Sequence, residues 1–133
     1  MKGEQPEIVE VLKARAVPKG SYEHLLEFLR MYRDAVQMVV NELWNLGEKL
    51  SRKKLHKMFY DKLRRLGLRA HHVKEIYIYA KSIVESAKAN GSKNPILKKL
   101  SARIDKYDYR LDLDNMTLVL KLHDGYEVKL KLL

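Results

Sequence analysis

A chain of 133 residues, 46% of them apolar, is long enough to bury one core and too apolar for wholesale disorder. It has no cysteine, which excludes a disulfide scaffold, a thiolate metal site and a cysteine nucleophile. The net charge of +10 is concentrated in the middle: residues 1–48 hold six Lys/Arg against eight Asp/Glu, residues 49–103 hold sixteen against three, and residues 104–133 hold five against six. A localised positive field of that kind attracts a polyanion, most often nucleic acid. No apolar run approaches the ~18 residues of a membrane span. The opening MKGEQPE lacks the apolar stretch of a secretory signal, so a cytoplasmic location is expected. A Lys- and Glu-rich, cysteine-free composition leans towards a thermophilic source.

Ile8 to Val17 reads as a first strand, with Val9, Val11, Lys13 and Arg15 in alternation against Leu12, Ala14 and Ala16. Pro18 and Gly20 then stop the chain, and Ser21 is a good cap for a long helix to about Leu46. Leu25, Leu29, Tyr32, Val36, Val39, Leu43 and Leu46 recur at steps of four and three, widened by Leu26, Val40 and Trp44, so this helix is expected to carry the core with at least two partners packed on it. Gly47 allows a break. Ser51 caps a second helix over Arg52 to Leu66 whose stripe is Leu55, Met58, Phe59, Leu63 and Leu66, with Gly67 as its stop. A third helix is expected over Ala70 to Ala89, burying Val73, Ile76, Tyr77, Ala80, Val84 and Ala87. The Ile76-Tyr77-Ile78-Tyr79 run has strand propensity, but the helical period continues two turns beyond it.

Asn90 to Pro95 is a linker, and Ile96 to Ala102 suits a short helical turn. The period then changes to two. Tyr107, Tyr109, Leu111 and Leu113 alternate with charged residues, followed by Leu118, Leu120 and Leu122, and by Tyr126, Val128, Leu130 and Leu132. Asp114-Asn115 and Asp124-Gly125 mark turns, the second a tight-hairpin signal. The expected class is α+β: a small antiparallel sheet or partial barrel, with a three-helix bundle inserted between strand 1 and a C-terminal three-stranded meander.

The second helix offers the best candidate surface. Lys53, Lys57, Tyr60 and Arg64 lie opposite its apolar stripe, flanked by Arg52, Lys54 and Arg65, and Asp61 can pair with Arg65. Lys and Arg meet phosphates whatever the sequence, and an interleaved aromatic gives a base a stacking plane. The positive excess continues through Arg69, His71, His72, Lys74, Lys98, Lys99 and Arg103, which join the predicted nucleic-acid-binding set. His71 and His72 point about 100° apart on a helix and do not make the three or four convergent ligands of a zinc site, so exposed histidines near phosphate are expected instead. Asp108, Asp112 and Asp114 share one strand face, read as the solvent side, and with Asp105 they form a row rather than a convergent two-metal site. No nucleophile elbow or triad is marked, and no cofactor, metal or catalytic residue is expected.

The order of elements resembles the opening of the TnpB (OrfB) proteins of insertion sequences. The likeness rests on a strand ending in Ala16-Val17-Pro18-Lys19, and on a long helix carrying Tyr32, Ala35 and Asn41-Glu42-Leu43-Trp44. Leu55 to Tyr60, the Gly67-Leu68 turn, Ala80-Lys81-Ser82, and Leu111-Asp112-Leu113-Asp114 followed by Met116 to Leu120 fall where that family has later helices and returning strands. The resemblance covers nearly the whole chain and only the family's N-terminal part. It implies the wedge-like and recognition-lobe portion of a transposon-encoded, RNA-guided DNA nuclease, holding guide RNA and target DNA. The family's RuvC-like nuclease half would start about where this sequence stops, so cleavage is not carried over. The expected protein is therefore a non-enzymatic nucleic-acid binder. An alternative is a protein-interaction module whose apolar seam completes a bundle with a partner or, as a homo-oligomer, with a second copy.

Overall fold

The structure, a computed structural model, describes residues 13–133. The part of the expected first strand over residues 8–12 lies outside the described residues. Seven elements follow in order: β1 (Ala16–Pro18), α1 (Glu23–Leu46), α2 (Arg52–Arg65), α3 (Ala70–Ala89), β2 (Tyr109–Asp112), β3 (Thr117–Lys121) and β4 (Glu127–Leu132). The strands form one antiparallel sheet in the order β1-β4-β3-β2, so β1 reaches across the helical insert to pair with the last strand. The sheet is open rather than a partial barrel, with β1 and β2 at its edges. Pro18, which has no N–H to donate, sits on such an edge, where a missing donor costs no ladder bond.

The helices begin and end where local chemistry dictates. The Ser51 hydroxyl accepts from the Lys54 amide and caps α2. Ser21 accepts from the Glu23 amide at the entry to α1. Gly47 closes α1 in the left-handed region at φ 73°, its amide bonding to Leu43 O. The last turn of α1 holds no cation of its own, and Lys88 from α3 supplies one by donating to Trp44 O. Ile76 to Tyr79 are helical, as the longer period predicts.

The core lies between the helices. Phe28, Tyr32, Ala35, Val36, Val39, Val40 and Leu43 of α1 are buried with Leu55, Phe59 and Leu63 of α2 and Val73, Ile76, Tyr77, Ala80 and Val84 of α3. Helix α3 packs against both others, and α1 and α2 approach each other far less, so α3 rather than α1 is the central element. The buried face of α1 is rotated from the expected seam: Phe28 and Ala35 lie inside, while Leu46 and Leu26 are exposed. Met58 and Leu66, expected within the stripe of α2, are exposed too. Ile96 to Ala102 form no helical turn. This stretch runs as extended chain along the bundle, because side chains of α1 take its backbone bonds: Gln37 bonds to Pro95 O and Leu97 N, and the Tyr32 hydroxyl to Arg103 O and N. Burial pushes the Tyr32 phenol well above the usual tyrosine range.

The sheet meets the bundle at one end. The hairpin joining β3 to β4 closes between Leu122 and Tyr126 through His123-Asp124-Gly125, with Gly125 at φ 81°, one residue longer than the tightest hairpin. Its residues dock on the start of α1. His123 stacks near Phe28 and lies 3.8 Å from Glu27, and His24 stacks on Tyr126 at 4.1 Å between ring centroids. Leu122 and Val128 join the core there. At the far end the same sheet face leaves the bundle, so Tyr109, Leu111, Leu113 and Met116 are exposed, as is Tyr107, although the sequence pattern marks the tyrosines and leucines of this strand as its inner side.

Candidate nucleic-acid interface

The predicted contact residues separate into three groups. The first is the outer side of α2. Leu55, Phe59 and Leu63 recur every four residues and turn one side of that helix inward. Lys53, Lys54, Lys57, Arg64 and Arg65 are consequently exposed, Arg52 is exposed at the helix start, and none of the six makes an ion pair with a described residue. Asp61 does not pair with Arg65, leaving this row uncompensated. Two side chains on α2 are already engaged within the chain. Arg64 Nη1 donates to Leu68 O at 2.8 Å, and Lys62 pairs with Glu42 of α1 at 3.1 Å. Tyr60 is half-buried and stacks on His56 at 4.5 Å, while the Tyr77 hydroxyl lies 3.2 Å from His56 Nδ1. One side of the Tyr60 ring is therefore covered rather than open for a base.

The second group clusters where α3 begins and is occupied from within. A turn from Asp105 to Asp108, closed by the Asp108 amide on Asp105 O, rotates the Asp108 side chain inward just before β2. Its carboxylate is fully buried, with Arg69 Nε at 3.4 Å, His71 Nδ1 at 3.6 Å and His72 Nδ1 at 3.7 Å. Asp108 is thus not on the solvent side of a strand. His72 is not an exposed histidine near phosphate either: it is wholly buried, its Nε2–H donates to Lys121 O at 2.9 Å, and its ring tilts against Phe28. Burial pushes its pKa below the ordinary imidazole range, opposed by the Asp108 charge and the Lys121 carbonyl. Lys74 donates to Asp105 at 2.8 Å, a bond that raises the lysine and lowers the aspartate. Asp112 is used separately, accepting from the Asn115 amide and side chain. Among the described residues no three His, Asp or Glu side chains come together as metal ligands.

The third group lies on the extended stretch before β2. Lys98 and Lys99 line a cavity of about 350 Å³ with Val36, Tyr79, Ile96, Leu97 and Ser101, joined by Arg33 of α1, which sequence reasoning did not single out. The Arg103 guanidinium stacks 4.3 Å from the Tyr79 ring centroid. The lining contains no residue of α2, so this is a separate positive surface rather than an extension of the first. Comparison with protein-family models, with curated proteins and with solved structures gives no match.

Proposed function

We propose that this chain is a nucleic-acid-binding domain without a catalytic site of its own, acting like the N-terminal portion of the TnpB-like transposases it resembles. The observation that carries the reading is the outer side of α2, where Lys53, Lys54, Lys57, Arg64 and Arg65 stand away from the buried Leu55/Phe59/Leu63 stripe and outside any ion pair among the described residues. An uncompensated row on a rigid helix suits phosphates, whose counterions are released as each is neutralised. Guide RNA and target DNA are the proposed ligands, with base pairing supplying sequence and the protein supplying shape and charge. The alternative, a module whose apolar seam completes a bundle with a partner, is weakened because the seam of α1 is already buried against α3 of the same chain. Titration of structured RNA and of duplex DNA at several salt concentrations tests the proposal. Binding should weaken with salt at a slope of about −0.9 per phosphate for duplex and show little sequence preference. No binding to either at low salt would sink it.

A further inference from the structure

The cavity beside Tyr79 has chemistry that the α2 surface lacks. Three polar side chains of α1, Asn41, Gln37 and Tyr32, fasten the extended stretch to the bundle at Asn94, at Pro95 and Leu97, and at Arg103. Between the last two fastenings lies the opening of about 350 Å³. Val36, Tyr79 and Leu97 make its apolar floor, and Arg33, Lys98 and Lys99 stand at its rim. Among the described residues no acidic one lines it; the nearest along the chain, Asp34, is bonded to Arg33 Nε at 3.2 Å, leaving the other guanidinium nitrogens and both lysines without a described partner. Ile96, also part of the lining, is 78% exposed, an apolar side chain held largely in water.

A flat ligand with an apolar face and an anionic edge matches this arrangement. The volume is at the lower end of the roughly 300–1,000 Å³ usual for small-molecule pockets, the size of a single nucleotide and far short of a helix. A duplex offers only stacked bases and a convex phosphate surface, which the α2 row meets better. We infer that the cavity is a binding site for an unpaired nucleotide of a nucleic-acid strand. The base lies against the side of Tyr79 that lines the cavity, the Arg103 guanidinium occupying one face of that ring, and under Ile96, and its flanking phosphates meet Arg33, Lys98 and Lys99. Broad sequence tolerance follows, because every base has a π-face to stack and the uncharged polar groups of the lining are only the Ser101 and Tyr79 hydroxyls. This inference rests on the proposed nucleic-acid function and adds a second, single-strand-selective site to it.

The test uses the full chain with two probes, a short 5-bromouracil-containing single strand and a duplex of equal length. Irradiation should cross-link the single strand to Tyr79 or to the peptide spanning residues 94–103. A variant carrying Arg33→Ala, Lys98→Ala and Lys99→Ala should lose about tenfold or more in single-strand affinity, with a salt slope shallower by about 2 at ~0.7 per phosphate, and should hold the duplex as before. Ile96→Asp, which keeps all three cations and replaces an exposed side chain, should weaken the single strand alone. If single strand and duplex both bind but neither variant changes the single strand and cross-links fall on α2, this site is refuted and the α2 proposal stands. If the unaltered chain binds neither probe, both fall together.

Discussion

Helix α2 and the beginning of α3 both read as basic stretches in the sequence, yet their charges are placed in opposite ways. On α2, Lys53, Lys54, Lys57 and Arg65 face water with no described partner. At the start of α3, Arg69, His71 and Lys74 are met by Asp108 and Asp105, which arrive from more than thirty residues further along the chain. Charge counted along a sequence is therefore not charge presented in space. A basic stretch stays open to water or is drawn into a joint around a buried carboxylate, depending on which carboxylates the fold returns to it. At α3 the returning acids lie next to β2, so the neutralised cluster also ties the sheet to the bundle.

Asp108→Ala tests this contrast most severely. It leaves Arg69 and His71 without their shared carboxylate, and His72 cannot turn to water to compensate. Arg69 and His71 still reach water, so the loss is that of hydrogen bonds to a buried charge, about 1.5–3 kcal/mol, which for a chain of this size lowers Tm by on the order of 5–10 °C. Asp61→Ala on α2, whose carboxylate is exposed and outside any ion pair, should stay within about ±0.5 kcal/mol. Thermal melts of the pair decide the matter; equal melting would mean that the cluster at α3 is no more structural than the face of α2.

Acid should loosen the contacts between sheet and bundle in two stages. His72 has a folded pKa below that of the unfolded chain because it is buried, so below about pH 6.5 the unfolded state takes up the proton first and stability falls as pH drops. Asp105 and Asp124 have folded pKa values lowered, by the Lys74 hydrogen bond and by the Tyr126 amide respectively, so their stabilisation is present above about pH 3.9 and is lost as pH falls below it. Melting curves across pH 3 to 8 should show both stages. His72→Gln, whose amide can still donate to Lys121 O, should remove the first and keep the second. A first stage unchanged in that variant would place the sensitivity elsewhere.

What was legible in the sequence was local. The bounds of α3 follow from its period, and the start of α2 from Ser51, because turn-by-turn spacing and a cap need no distant residue. The face of α1 was harder to read, since the apolar column widens on both sides of the seam, through Phe28, Ala35 and Leu46 on one and Val40, Leu26 and Trp44 on the other; the packed helix buries Phe28, Ala35 and Val40 and leaves Leu26, and Leu46 at the helix end, exposed. Asp108 was misplaced because alternation from Tyr107 to Leu113 implies an unbroken strand, whereas the strand starts at Tyr109 after a turn. His72 did carry a signal: it stands four residues before Ile76, on the buried stripe of α3. Nothing local pointed to Arg33, because the chain that meets it, from Ile96 to Ser101, has no period to follow.

The smallest effect on stability, and the sharpest test of the contrast, belongs to α2 itself. Lys53, Lys54 and Lys57 are exposed and unpaired among the described residues, so replacing all three by Ala should leave Tm close to that of the unaltered chain, at about ±0.5 kcal/mol each. Alanine also favours helix slightly over lysine, which works against any loss. Duplex binding should weaken, with a salt slope shallower by about 3 if each lysine meets one phosphate. Arg64 is left in place for a physical reason: its bond to Leu68 O helps close the end of α2, and losing it would cost on the order of 1 kcal/mol unrelated to ligand. Should the triple variant instead melt as low as Asp108→Ala while binding duplex normally, the α2 cations would be structural too, and the difference between the two regions would vanish.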